Sequence, residues 1–357
     1  MSPELQAPVA FGVILGLATL LAPARHRVWW LGLPVVAVVL AAVFGLNLQA
    51  GGLAGLPWEE TGSILAWLLL GHCARVAGGP VLPRSWGLVA ALAGWLMGDL
   101  GAAALLAGLI ADRGTAIRAA LVASAAALIS PIGTPVSLVV VDPAYFGPLP
   151  IFLALVAWPV GALPERQGRV SVSLILGSAA ALVAWIPSQR LIFLAAAAAL
   201  LAFLARKNLQ AERFPAGEGV FAIAAGVLAW GARHGGLSRE LLAGLELLQG
   251  ALPDAANWLF ATAGVLLGLL MGETAGAPLI HSMLGASANP PDPAMLSCVA
   301  AGLAVGGLGP LLMVWRHHPG NENGSPRPPF WREALRPYLM QVVVVVAWAA
   351  MLDDLLA

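Results

Sequence analysis

Two acidic residues stand inside apolar runs where an acid is costly. Asp99 lies in "GWLMGDLGAAALLAGL" (94–109) and Glu273 in "GLLMGETAGAPLI" (268–280). A carboxylate at the centre of a bilayer costs roughly 2.5–3.5 kcal/mol on insertion scales. Capping a helix N-terminus returns about 1 kcal/mol, which does not offset that cost. Glu is also a poor N-cap, so capping explains Glu273, followed by Thr274, less well than Asp99. Two such carboxyls facing one another are suited to exchanging a proton for a cation.

Two further stretches offer oxygen ligands. "SPIGTP" (130–135) places two prolines and a glycine within an apolar run. Proline removes a backbone donor and breaks a helix. The freed carbonyls, with the hydroxyls of Ser130, Thr134 and Ser137 around Gly133, form a candidate ion site. "GGLGP" (306–310) repeats the logic without hydroxyls, through Gly306, Gly307 and Gly309. Irregular backbone at membrane depth is tolerated where it lines a cavity or is buried in protein. His281, eight positions after Glu273, is a weaker candidate as a proton relay. His72 reads as a packing residue near the end of its span, and His317 and His318 as part of a solvated loop.

The composition says what must position these residues. The chain has 357 residues, 60% hydrophobic and 10% charged, against about 25% charged in soluble domains. Apolar runs near the length that crosses about 30 Å of hydrocarbon recur throughout. The expected fold is an all-α polytopic membrane protein. Candidate spans are 8–24, 28–50, 61–78, 116–140, 148–163, 170–186, 190–205, 217–233, 294–315 and 337–354. That makes about 10 transmembrane helices, and two broken runs at 86–111 and 258–286 remain. Cys73 and Cys298 have no metal-ligand spacing and read as packing residues. Zero net charge gives no case for nucleic acid. Trp29, Trp30, Trp58 and Trp86 fit interfacial belts. The N-terminal run lacks a basic leader and reads as a retained span.

Charge placement decides how the broken runs cross. If both are re-entrant hairpins and the N-terminus is outside, only Arg190, Arg233 and Arg239 of the 18 Lys and Arg residues face outward. That is a strong positive-inside bias, and a full crossing at 86–111 would weaken it. The chain is also duplicated. "CARVAGG" (73–79) matches "GARHGG" (231–236), "ALISPIGTPVSLVVV" (127–141) matches "LAVGGLGPLLMVW" (303–315), and "LVAWPVGALPE" (155–165) matches "VVAWAAMLDD" (345–354). The expected organisation is an N-terminal span (1–27), then repeat 1 (28–165) with hairpin 86–111 and broken helix 116–140. A connecting span (166–189) leads to repeat 2 (190–357) with hairpin 258–286 and broken helix 294–315. The two repeats have inverted topology, a plan shared by many secondary transporters. An amphipathic segment at 237–254 interrupts the second copy at the outer surface.

Through "SPIGTP" and the paired hairpins, the chain resembles a compact member of the ion transporter superfamily, the group of sodium/proton antiporters, arsenite pumps and dicarboxylate carriers. The hairpin tips depart from the Asn-rich tips usual there, and Thr134 stands where the antiporter branch often has Asp. The resemblance implies a secondary active transporter, multi-pass in the inner (cytoplasmic) membrane, with a midplane site and alternating access. Two acids favour cation/proton antiport over the alternative, an anion carrier of the same fold. A non-transporting membrane scaffold is the reading from another class. Aspartyl intramembrane proteases need a second Asp, and here the partner is Glu273, so no enzyme is expected. The expected partners are a small ion or small-molecule substrate, the lipid bilayer and a possible homodimer; no cofactor and no metal are expected.

Overall fold

A computed structural model describes residues 86–110, 112–130, 143–158, 190–209, 256–273, 292–317 and 330–352, with scattered helical positions elsewhere. Among the described residues every element is helical. In chain order they are α1 (Trp86–Leu109), α2 (Arg113–Ala127), a short 3-10 turn (Pro143–Phe146), α3 (Leu149–Ala157), α4 (Arg190–Leu209), α5 (Ala256–Met271), α6 (Pro293–Gly306), α7 (Gly309–His317) and α8 (Phe330–Ala350). The expected spans at 8–24, 28–50, 170–186 and 217–233, most of 61–78, and the connecting span lie outside the described residues.

Glycine decides how α1 and α5 end. Gly98 interrupts α1 with φ 74 and ψ 174, and Gly272 follows α5 with φ 75. Side chains other than glycine rarely hold that backbone, because Cβ crowds the carbonyl. The Gly272 N–H still bonds back to Gly268 O, and its own carbonyl accepts from Gly276. One helix therefore closes and another opens on a single residue.

Contacts on α6 show which way the chain goes. A methyl at Gly302 would strike the Ala261 carbonyl, and one at Gly264 the Val299 carbonyl. Further along, Gly306 meets Val265, and Gly268 meets Leu303 O, Gly306 and Gly307. Positions rise together, so α5 and α6 run in the same direction at backbone contact. Past Gly272 the order reverses, with Glu273 at Gly307 and Gly276 back at the Leu303 side chain. The chain turns back on itself at Gly272. Gly98 repeats that backbone, and Gly94 meets the Ala123 carbonyl of α2 as Gly268 meets Leu303 of α6. The second arm of α1 then joins α2 through the short link before Asp112. Small residues at these crossings let backbones touch, as helix pairs in membranes require.

Among the described residues, two helices are long and apolar enough to cross a membrane, Pro293–Trp315 (α6 continued through α7) and Trp331–Ala350. The exterior is apolar: Leu270 is 84% exposed and Leu88 66%, beside exposed Ile151, Phe152, Leu155, Phe203 and Val343. The interior core joins α2, α3, α5, α6 and α8 through residues such as Leu128, Phe146, Leu153, Phe260, Leu303 and Trp348.

Several expected boundaries are corrected. The broken helix expected over 116–140 starts earlier, at Arg113, capped by Asp112 Oδ2 on Thr115 N at 2.7 Å, and its first stretch ends at Ala127; 131–140 lie outside the described residues. Ser130 precedes Pro131, and a residue before proline is driven out of the helical region. Of the span expected over 148–163, Leu149–Ala157 is helical and Trp158, which precedes Pro159, is extended (ψ 127); 159–163 lie outside the described residues. The helix expected at 337–354 begins at Phe330. Trp86 is buried in protein, while among the described residues Trp258 and Trp331 are exposed; Trp29, Trp30 and Trp58 lie outside the described residues. Described positions of the 237–254 segment, such as Glu246 and Leu247, are helical and exposed.

Candidate functional site

The two turning points meet at one break. α7 continues the chain beyond α6 after Gly307 and Leu308, and packs against α1 and α2. α6 packs against α5. The two folded-back segments thus lie along the two halves of one broken rod, with their tips at its break. Glu273 sits on Gly307, where an added Cβ would lie 3.1 Å from the Glu273 Cβ. Leu100, next to Asp99, sits on Gly309, where an added Cβ would lie 3.3 Å from Leu100 Cδ2.

Asp99 and Glu273 come together there. They are 2% and 5% exposed, and their carboxyl groups are within hydrogen-bonding reach of each other. Asp99 Oδ1 accepts the N–H of Leu100 at 2.7 Å, while Oδ2 is buried and meets no N–H donor. Ionised carboxylates only accept hydrogen bonds. Two unit charges 4 Å apart repel by about 4 kcal/mol at an effective dielectric constant of 20. A pair in this position needs a proton or a cation between its oxygens.

Helix capping does not account for Asp99. An N-cap side chain accepts from the second or third helical N–H, and Asp99 accepts from its immediate neighbour. The capping aspartates are elsewhere and exposed: Asp112 caps α2, and Asp292 caps α6 by accepting from Ala294 N at 2.9 Å.

The other candidates divide. Gly306, Gly307 and Gly309 lie at the break itself. Ser130 is buried, and its hydroxyl donates to the Trp95 carbonyl at 2.7 Å, tying the end of α2 to the arm that leads to Asp99. That bond engages its hydroxyl proton. Gly133, Thr134, Ser137, Thr274 and His281 lie outside the described residues.

Sequence reasoning missed three residues. Gln341 Nε2 donates to Leu121 O at 3.3 Å and Leu153 O at 3.0 Å, joining α8 to α2 and α3. Tyr338, one turn earlier, points its hydroxyl at Gly306 O, at 3.5 Å. Glu333 forms a two-pronged ion pair with Arg113, at 2.7 and 3.0 Å. A lone amide in "LMQVVVVV" (339–346) was the available signal for Gln341.

No family model and no curated protein sequence matches the chain.

Proposed function

We propose that this chain is a multi-pass membrane transporter that exchanges a cation for protons, with Asp99 and Glu273 as its ion-binding and proton-carrying pair. The observation that carries this reading is the burial of both carboxyls against each other at a break in a long apolar helix. A structural role does not require two like charges there, whereas a site that alternates between proton and cation does. The inside-out surface supports the bilayer as solvent, since Leu270 is 84% exposed while Glu273, three residues on and past the Gly272 turn, is 5% exposed.

On this reading the arms around Gly98 and Gly272 are re-entrant hairpins, entering from opposite membrane faces. The two halves are inverted repeats within about ten spans of the inner membrane, as in the ion transporter superfamily that "SPIGTP" resembles. Cation binding displaces the proton held by the pair. Movement of one hairpin bundle then exposes the pair to the other side. An anion would have to approach two acids, so a cation is the favoured substrate.

Flux in proteoliposomes tests the reading. The wild-type protein should acidify or alkalinise the lumen in response to a sodium or potassium gradient. Asp99→Asn and Glu273→Gln should each reduce that flux at least tenfold. Cation-driven proton flux that is equal in all three proteins would sink the proposal.

A further inference from the structure

The turn that delivers Asp99 is joined to α2 by one bond, from Ser130. In an unbroken α-helix the Trp95 carbonyl accepts from the N–H four residues on, which is that of Asp99. Gly98 is not helical, with φ 74 and ψ 174, and the Asp99 N–H turns toward its own carboxyl instead. The Ser130 hydroxyl donates to the Trp95 carbonyl at 2.7 Å. A side chain of a neighbouring segment thus stands where the Asp99 N–H would stand if α1 ran straight.

The backbone fixes Ser130 for that task. Its own N–H bonds back to Ala127 O at 2.9 Å, just past the end of α2. Pro131 follows, and the residue before a proline is kept out of the helical region. The contact of Gly94 with the Ala123 carbonyl holds the first arm of α1 against α2. Ser130 itself is 2% exposed, so water does not compete for its hydroxyl.

Opening a turn in a helix forfeits a backbone hydrogen bond, and a donor from outside offsets the loss. Without that donor, the Trp95 carbonyl regains a bond by drawing back the N–H of Asp99. The Asp99 side chain would leave the break with it. The second turn is held in another way, by the seat of Glu273 on Gly307. In the matching stretch Gly306 stands where the first copy has Ser130, so no hydroxyl is available there.

We infer that Ser130 is a positioning residue: its hydroxyl holds the Trp95 carbonyl in place of the Asp99 N–H and so keeps Asp99 against Glu273. The consequence for exchange rests on the antiport reading, while the placement of Asp99 does not. The role differs from that of an ion ligand, because it is exerted on the carboxyl before any ion arrives.

Carboxyl labelling of the purified full chain in nanodiscs, in choline without sodium or potassium, tests the inference. The probe is a lipid-soluble carbodiimide, which adds to protonated carboxyls in apolar surroundings, and mass spectrometry reads Asp99 and Glu273 separately. Ser130→Ala should raise labelling of Asp99 relative to Glu273 by roughly fivefold, the factor that one ordinary hydrogen bond is worth. Ser130→Thr, which keeps the hydroxyl, should restore the wild-type ratio, and Ser130→Val, of the same shape without it, should not. Ser124→Ala should leave the ratio unchanged, because the Ser124 hydroxyl bonds within its own helix, to Ala120 O. A general loosening raises both labels together and leaves the ratio where it was. The inference is overturned if Ser130→Ala and Ser130→Val keep the wild-type ratio, or if Ser130→Thr behaves as Ser130→Val does. It is overturned as well if neither Ser130→Ala nor Ser130→Val folds, since the hydroxyl would then hold the fold and not the carboxyl. Absence of cation-driven proton flux in the wild-type chain would remove the antiport reading and leave this assignment, which the labelling alone decides.

Discussion

Asp99 and Glu273 meet carboxyl to carboxyl, each one residue beyond a glycine whose φ is 74° or 75°. The glycine turns the backbone and the next side chain is delivered to the break between α6 and α7. Both residues are buried. The pair is a consequence of two glycine turns of matching φ brought tip to tip.

Replacing one acid by its amide separates charge from shape. Asn at 99 keeps an acceptor for the Leu100 N–H and offers an NH2 donor to Glu273. Asp99→Asn should therefore melt within about 1 kcal/mol of the wild type, the ordinary net value of a hydrogen bond, while proton flux falls. Differential scanning fluorimetry on the same preparation used for flux checks the first half. A large loss of stability would mean that the carboxyl holds the fold together.

The turning glycines should not tolerate a side chain. Gly98→Ala and Gly272→Ala place a Cβ on backbone of positive φ, which costs roughly 1–2 kcal/mol each. Thermal unfolding in detergent should show the loss at both positions. A wild-type melting temperature for both would mean that the turns are not held as described.

Packing between α5 and α6 depends on glycine for another reason. A methyl at Gly302 meets the Ala261 carbonyl and the Val265 N–H. Gly302→Leu forces these backbones apart, with a cost of about 1–3 kcal/mol or more for overpacking. Reduced folded yield by size-exclusion chromatography, together with a lower melting temperature, is the expected result.

Arg113 and Glu333 join the start of α2 to the first turn of α8. The side chains are 11% and 24% exposed, so water screens the pair in part. Its two-pronged geometry places it toward the upper end of surface pairs, near 1 kcal/mol. A double-mutant cycle with Arg113→Gln and Glu333→Gln should recover about that coupling energy. Additive effects would remove the pair from any account of stability.

The membrane path has a direct test. In a chain with Cys73 and Cys298 replaced by Ala, single cysteines at Arg84 and Asp112 flank the first folded-back segment. Both should react with an impermeant thiol reagent from the cytoplasmic face. Asp292→Cys should react from the opposite face. Labelling of Arg84→Cys and Asp112→Cys from different faces would show that the run crosses fully.

Much of the local structure was legible. The apolar runs identified α4 and α6 within a few residues, and the Met-Gly-acid matches marked both turning points. At α3 the described helix stops at Ala157, two residues before Pro159. Trp86 was misplaced because an aromatic at the end of an apolar run looks the same whether lipid or protein covers it.

What the sequence by itself determined is what the backbone dictates over a few residues. Glycine is needed where φ is positive, proline ends a helix, and a run of apolar side chains must be helical if it is to satisfy its own backbone. The tertiary structure decided which of these meet. That Asp99 touches Glu273, that Glu273 rests on Gly307, and that Gln341 bridges α2 and α3 depends on helix direction and on close backbone approach between distant segments. No periodicity encodes those meetings, because a side chain's neighbour across a helix interface is set by packing of whole helices and not by spacing along the chain.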